Sequence, residues 1–335
     1  MKKFGQFCVL LTVVIALIAP SVRAQDEQEI DATKKLFPEA GGVTALKRGP
    51  DGRYYVLTSH AVLIYDANSK LVKRFPEAPA ANSKAIPFFG LSMDIAADGR
   101  IYVADGAAGA IDVFSPEGVL LRRNPVPSPT SVAALPNGEM AVASSLEKTE
   151  ISIVDANGKI TREFGDPVSV VDDSAANRRL NLGRVVSDPA GNLYFAYMYV
   201  PEPTFRKFDR FGYASLDETL NTLEFQGAAQ YARKQIARQQ QTGAGNIALR
   251  KVITAIGVDA DSQSVWIAME NLVLVFNRDA TEHREYRAYT PENARLPVDA
   301  IVVEPDRLIL ISETLGAYEF ARPDKPAPAK ADTAH

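Results

Sequence analysis

At 335 residues and 46% apolar side chains, the chain is long enough to bury a large core and too apolar to be disordered throughout. Its 37 basic and 41 acidic residues give a net charge of −4, which argues against a general nucleic-acid binder. A single cysteine excludes an intramolecular disulfide and a thiolate metal cluster.

The chain opens on Met1-Lys2-Lys3, continues through an uncharged apolar stretch from Phe7 to Ala19, and reaches Val22-Arg23-Ala24. A basic start, a short apolar run and small or apolar residues at −3 and −1 have the layout of a secretory signal peptide. Residues 1–24 are expected to be removed after Ala24, leaving a secreted or periplasmic protein with no membrane span. The only cysteine, Cys8, leaves with that segment. So do three basic residues, which takes the remainder to 34 basic, 41 acidic and a net of −7.

Residues 25–322 read as one repeated pattern. Unit one runs Val43 to Leu46, Asp51-Gly52, Tyr54 to Leu57 and Val62 to Asp66. Unit two runs Leu91 to Ala97, Asp98-Gly99, Arg100 to Asp105, Ala110 to Phe114 and Val119 to Arg122. Unit three carries Asn137-Gly138 and Asn157-Gly158, unit four Gly191-Asn192 and Gly212. Units five and six follow around Val265 to Ala268 and Leu308 to Ile311. Asp-Gly or Asn-Gly between apolar runs is a hairpin signal, and four short strands per unit is the blade pattern of a propeller.

Unit six lacks a fourth strand, while residues 31–40 echo the end of unit one: Lys34-Lys35-Leu36-Phe37-Pro38-Glu39-Ala40 against Val72-Lys73-Arg74-Phe75-Pro76-Glu77-Ala78. The expected fold is therefore all-β: a six-bladed β-propeller with four-stranded blades, closed by Ala32 to Phe37 completing the last blade. Unit two, through Ile95, Asp98, Gly99, Ile101 to Asp105, Ile111, Val113, Phe114 and Gly118, resembles an NHL repeat. That resemblance implies the same fold and leaves function open, because propellers host many functions. Asp105 has no counterpart in the other units.

Strand order sorts the connections onto two faces. The short Asp-Gly and Asn-Gly turns gather on one, and the long segments on the other: residues 76–90, 165–183, 214–251 and 286–298. Long loops on a rigid scaffold are where binding usually sits. The largest insertion, residues 216–250, is expected to be helical, opening with the capping box Ser215-Leu216-Asp217-Glu218 and continuing from Gly227 to Gln241. Tyr231, Arg233, Lys234 and Arg238 make it a candidate partner-binding arm. Residues 323–335 lack apolar periodicity and read as a disordered tail.

The candidate ligand-binding residues on the long-loop face are Asp94, Asp105, His60, Glu270, Asn271, Asp299 and Glu313, with Phe88, Phe89 and Tyr199 as candidate surface aromatics. Acids converging on a pore could hold a divalent cation through oxygen ligands; strand-end acids also cap loop backbone. No cofactor motif and no catalytic spacing is present. The function expected is a non-catalytic binding or interaction module outside the cytoplasm, a monomer taking a protein, peptide or glycan on its loop-rich face. The alternative is a metal-dependent hydrolase or lactonase with a carboxylate-lined site at the pore mouth, similar to gluconolactonase-type propellers.

Overall fold

A computed structural model describes residues 27–77, 87–220, 223–242 and 250–325. The signal segment, its cleavage point and residues 326–335 of the tail lie outside the described residues. Two short strands come first, Gln28–Asp31 (β1) and Lys34–Leu36 (β2). Blade 1 comprises Val43–Arg48 (β3), Tyr54–Thr58 (β4), Ala61–Tyr65 (β5) and Leu71–Phe75 (β6). Blade 2 comprises Gly90–Ile95 (β7), Ile101–Asp105 (β8), Ala110–Phe114 (β9) and Leu120–Pro125 (β10). Blade 3 comprises Pro129–Ala134 (β11), Met140–Ser144 (β12), Ile151–Val154 (β13) and Ile160–Phe164 (β14).

A short helix, Ser174–Leu180 (α1), leads into blade 4: Gly183–Ser187 (β15), Leu193–Tyr197 (β16), Thr204–Phe208 (β17) and Ala214–Thr219 (β18). A long helix, Leu223–Thr242 (α2), precedes blade 5: Ala255–Val258 (β19), Val265–Met269 (β20), Leu272–Phe276 (β21) and His283–Tyr289 (β22). Blade 6 comprises Ala300–Val303 (β23), Arg307–Ser312 (β24) and Gly316–Ala321 (β25).

Each blade is an antiparallel sheet, and β2 supplies the fourth strand of blade 6 by pairing Leu36 with Ala317. The expected closure by the start of the chain is thus observed. A feature not expected from sequence is β1, which runs parallel to β22 and makes blade 5 five-stranded.

The core lies between blades. Successive residues of a strand point to opposite sides of the sheet, so each middle strand feeds two seams. In β4, Tyr55 and Leu57 pack with Met93 and Ile101 of blade 2, while Tyr54 and Val56 pack with Ile309 and Ile311 of blade 6. Six such clusters occupy the six seams. Both faces of the middle strands are therefore apolar, which is why they read as continuous apolar runs such as Ala61-Val62-Leu63-Ile64-Tyr65.

The third-to-fourth-strand turns of blades 1, 3 and 4 share one device. The Oδ1 atoms of Asp66, Asp155 and Asp209 each accept two backbone N–H groups, two and four residues on. In blades 3 and 4 a glycine at positive φ (Gly158 at 84°, Gly212 at 94°) then turns the chain back, and in blade 1 Ser69 takes that position at 60°.

One expectation is corrected. Ser215-Leu216-Asp217-Glu218 does not open a helix: Ala214–Thr219 is the outer strand of blade 4, with Leu216 opposite Lys207. Leu216 and Leu220 lie four residues apart, a spacing that puts two residues on one face of a strand as well as of a helix. The Ser215 hydroxyl donates to the Lys207 carbonyl across the ladder instead of capping a helix. The helical part of the insertion is α2.

Candidate functional site

Antiparallel order puts the links from second to third strand, and those between blades, on one face of the ring. Both helices are on this face. Asp173 caps α1 by accepting the Ala176 N–H at 2.7 Å. The helix α2 turns Ala229, Ala232 and Ile236 inward at helical spacing. Ile236 packs with Val171 and Leu180 beside α1, and Tyr199 lies against this cluster. The insertion therefore lies on the long-loop face, bound to the connection between blades 3 and 4.

Tyr231, Arg233, Lys234 and Arg238 are on the outward side of α2. Arg250 stacks its guanidinium 5.3 Å from the Tyr231 ring, and Gln235 donates to the Tyr231 hydroxyl at 2.6 Å. Arg233 pairs with Glu202 at 2.7 Å.

The pore mouth on this face contains a cation that sequence reasoning missed. Arg184, on the inner strand β15, is half-buried and closely surrounded by protein. Burial pulls its guanidinium below the usual arginine range, opposed by the charges of Glu313 and Asp299 and by Tyr199. Among the described residues it makes no direct hydrogen bond or ion pair, so its attraction to Glu313 and Asp299 acts across a gap. Burial likewise pushes the Tyr199 phenol up, with Arg184 opposing and Glu313 reinforcing the shift. Glu313 is exposed and its backbone N–H donates to Asp299 Oδ2 at 3.0 Å. Lys251 approaches Asp299 Oδ1 at 3.8 Å.

The other expected site residues are spread around the ring and engaged. Asp105, 2% exposed, accepts the N–H groups of Phe89, Ala107 and Ala108 on one oxygen and holds its loop. Arg123 lies 3.9 Å from its other oxygen. Asp94 is not on the long-loop face, where it was expected. It pairs with Tyr102 one position before the end of β7, near the short-turn face, because β7 already begins at Gly90. There it accepts Ala134 N–H at 2.8 Å and pairs with Lys47 of blade 1 at 2.9 Å.

Glu270 is exposed and paired with Arg250. Asn271 is buried, with its side-chain nitrogen unpartnered. His60 is exposed in a two-residue turn, its ring 6.5 Å from that of Phe89. Phe89 is exposed and Phe88 buried. Among the described residues, no three His, Cys, Asp or Glu side chains are grouped to hold a metal ion.

A second polar site lies in the seam between blades 3 and 4. A cleft of about 350 Å³, including open solvent, is lined by Glu147, Lys148, Thr149, Glu150, Arg178 and neighbouring residues of both blades. Glu150 is buried; its Oε1 accepts from the Tyr197 hydroxyl and from Arg206 Nη1 at 2.7 Å. Its Oε2 and the Thr149 hydroxyl are buried without a partner. Burial pushes the Glu150 carboxyl up to about 8; Arg206 opposes this and Asp217 and Asp166 add to it. Arg178, on α1, makes no side-chain hydrogen bond or ion pair among the described residues.

No family model matches the chain, and no curated protein matches its sequence. Solved structures do match. Streptogramin B lyase is 15% identical over 87% of this chain and 86% of that chain, with a TM-score of 0.54. Virginiamycin B lyase from Staphylococcus aureus is 11% identical over 86% and 98%, with a TM-score of 0.53. A chain of a nidogen/laminin complex is 14% identical over 78% and 85%, with a TM-score of 0.51. The chain has the β-propeller fold. At these identities the likeness carries the fold alone, and the neighbours differ in role.

Proposed function

We propose that this protein is an exported NHL-type propeller that binds a protein or peptide partner through its long-loop face, with Arg184 at the pore mouth as the anchor for an acidic side chain or chain-terminal carboxylate. The observation that carries this reading is the Arg184 guanidinium, without a hydrogen-bond or ion-pair partner among the described residues and held by an inner strand. A planar, always-charged fork in a partly desolvated setting is suited to a carboxylate. Two further observations support it. Most of the carboxylates in the ring are engaged by backbone N–H groups or by cations, which gives them a structural role. The structural neighbour from a nidogen/laminin complex is a propeller found in a protein–protein assembly.

The test is selection of a random peptide library on residues 25–335, followed by affinity measurement on the recovered sequences. Acidic or carboxyl-anchored peptides are expected from the wild type. Arg184→Gln should bind them about tenfold or more weakly, the size of a charge-assisted contact, with an unchanged melting temperature. Recovery of the same peptides with the same affinity by both proteins would remove Arg184 from the site and this reading with it.

A further inference from the structure

Among the described residues, the cleft in the seam between blades 3 and 4 is lined by two residues with unsatisfied polar groups and one cation without a partner. Burying a hydroxyl or a carboxyl oxygen without a partner is costly, so such groups mark a place that something else completes. Tyr197 and Arg206 saturate one oxygen of Glu150 and leave the other bare. Oε2 lies against Gly165, where an added Cβ would come within 2.7 Å of it. The Thr149 hydroxyl is a second bare group from the adjacent residue. Arg178 lines the same cleft, on a helix fixed by its Asp173 cap and by the buried Leu180.

From this we infer that the cleft is a binding site for a small monocarboxylate, separate from the pore mouth: the anion's two oxygens take the fork of Arg178, and Glu150 and Thr149 donate to it from below. A planar carboxylate matches a guanidinium bidentately. The charges that face the cleft favour a single negative charge. Arg178 and Lys148 are positive, Glu147 is negative, and the Glu150 carboxyl is held by Arg206 with Asp166 and Asp217 nearby. A dianion such as phosphate would meet Glu147 with too few cations. The raised Glu150 carboxyl accords with the role: protonated, it is a donor to a carboxylate, and ionised, it repels one.

The experiment is calorimetric titration of residues 25–335 with acetate, L-lactate and inorganic phosphate, read together with the melting temperature. Saturable binding of a monocarboxylate at millimolar concentration is expected, weakening steeply as pH rises through about 8. Arg178→Gln, which removes a side chain without a hydrogen-bond or ion-pair partner among the described residues, should weaken it about tenfold or more. Glu150→Gln keeps a neutral donor and should bind with the pH dependence abolished. Arg184→Gln should retain the binding that Arg178→Gln weakens, which separates this site from the pore. No saturable binding of either carboxylate, binding of phosphate alone, or affinity unaltered by Arg178→Gln would each overturn the inference.

Discussion

Glu150 makes the stability of the molecule depend on pH in an unusual direction. Its folded carboxyl is raised to about 8 from the 4.5 of the free side chain, so the native state keeps a proton that the unfolded chain releases. The stabilisation is full below about pH 4.5 and is lost as pH rises towards 8. Buried acids paired with cations more often act in the opposite sense. Glu150→Gln cannot ionise and keeps the contacts to Tyr197 and Arg206. Urea unfolding near pH 5 and near pH 8 should therefore show the wild type losing on the order of a few kcal/mol relative to this variant between the two conditions. Parallel pH profiles for the two proteins would mean that Glu150 is ionised in the native state.

Neither Glu150 nor Arg184 was legible in the sequence. Glu150 closes an undistinguished stretch, Ser145-Leu146-Glu147-Lys148-Thr149-Glu150, and what buries it lies 47 and 56 residues away on Tyr197 and Arg206. Arg184 sits in Gly183-Arg184-Val185-Val186, where the alternation announces an inner strand but not that the arginine would face a pore without a counter-ion.

At the scale of elements the pattern was far more readable, because a blade is written in local signals. Asp98-Gly99 and Asn157-Gly158 mark their turns through side-chain and glycine geometry that acts within four residues. The echo of residues 70–78 in residues 31–40 was enough to place β2, since the same alternation serves the same outer position. Failures came where one spacing serves two structures, as at Leu216 and Leu220, or where a strand begins earlier than its apolar run, as at Gly90 before Asp94. The parallel strand β1 had no local signature, because Gln28-Glu29-Ile30-Asp31 offers one buried apolar side chain.

The two N-terminal strands should differ in weight. Leu36 of β2 is 6% exposed within the seam between blades 6 and 1, so Leu36→Ala should cost about 2–5 kcal/mol in denaturant unfolding. Ile30→Ala, on a strand of four residues at the rim of blade 5, should cost clearly less, since the site can collapse towards solvent. Equal costs would show that β1 is as necessary to the ring as β2.

Taken as a whole, the molecule has no blade with a core of its own: every large apolar cluster is shared by two neighbours. Unfolding should accordingly be a single transition. Trp266, the only tryptophan, is fully buried in blade 5 and reports locally, whereas far-ultraviolet circular dichroism reports all six blades. The two signals should give the same midpoint and slope. An earlier fluorescence transition would mean that the seam between blades 5 and 6 opens before the rest.

The closing pair of strands also sets an order of events in time. Thr33 bonds to Glu319, 286 residues further along the chain. At roughly 5–20 residues per second, synthesis of that interval takes about 15–60 s. Throughout it, the first strands to emerge wait without the edge they will cover, and blade 1 waits without the blade 6 side chains that pack against Val56 and Tyr65. The first part of the chain to be made is thus among the last to find its place, and a chain stopped short of blade 6 would carry both a loose strand and an open seam, a form that quality-control proteases can distinguish from the finished ring.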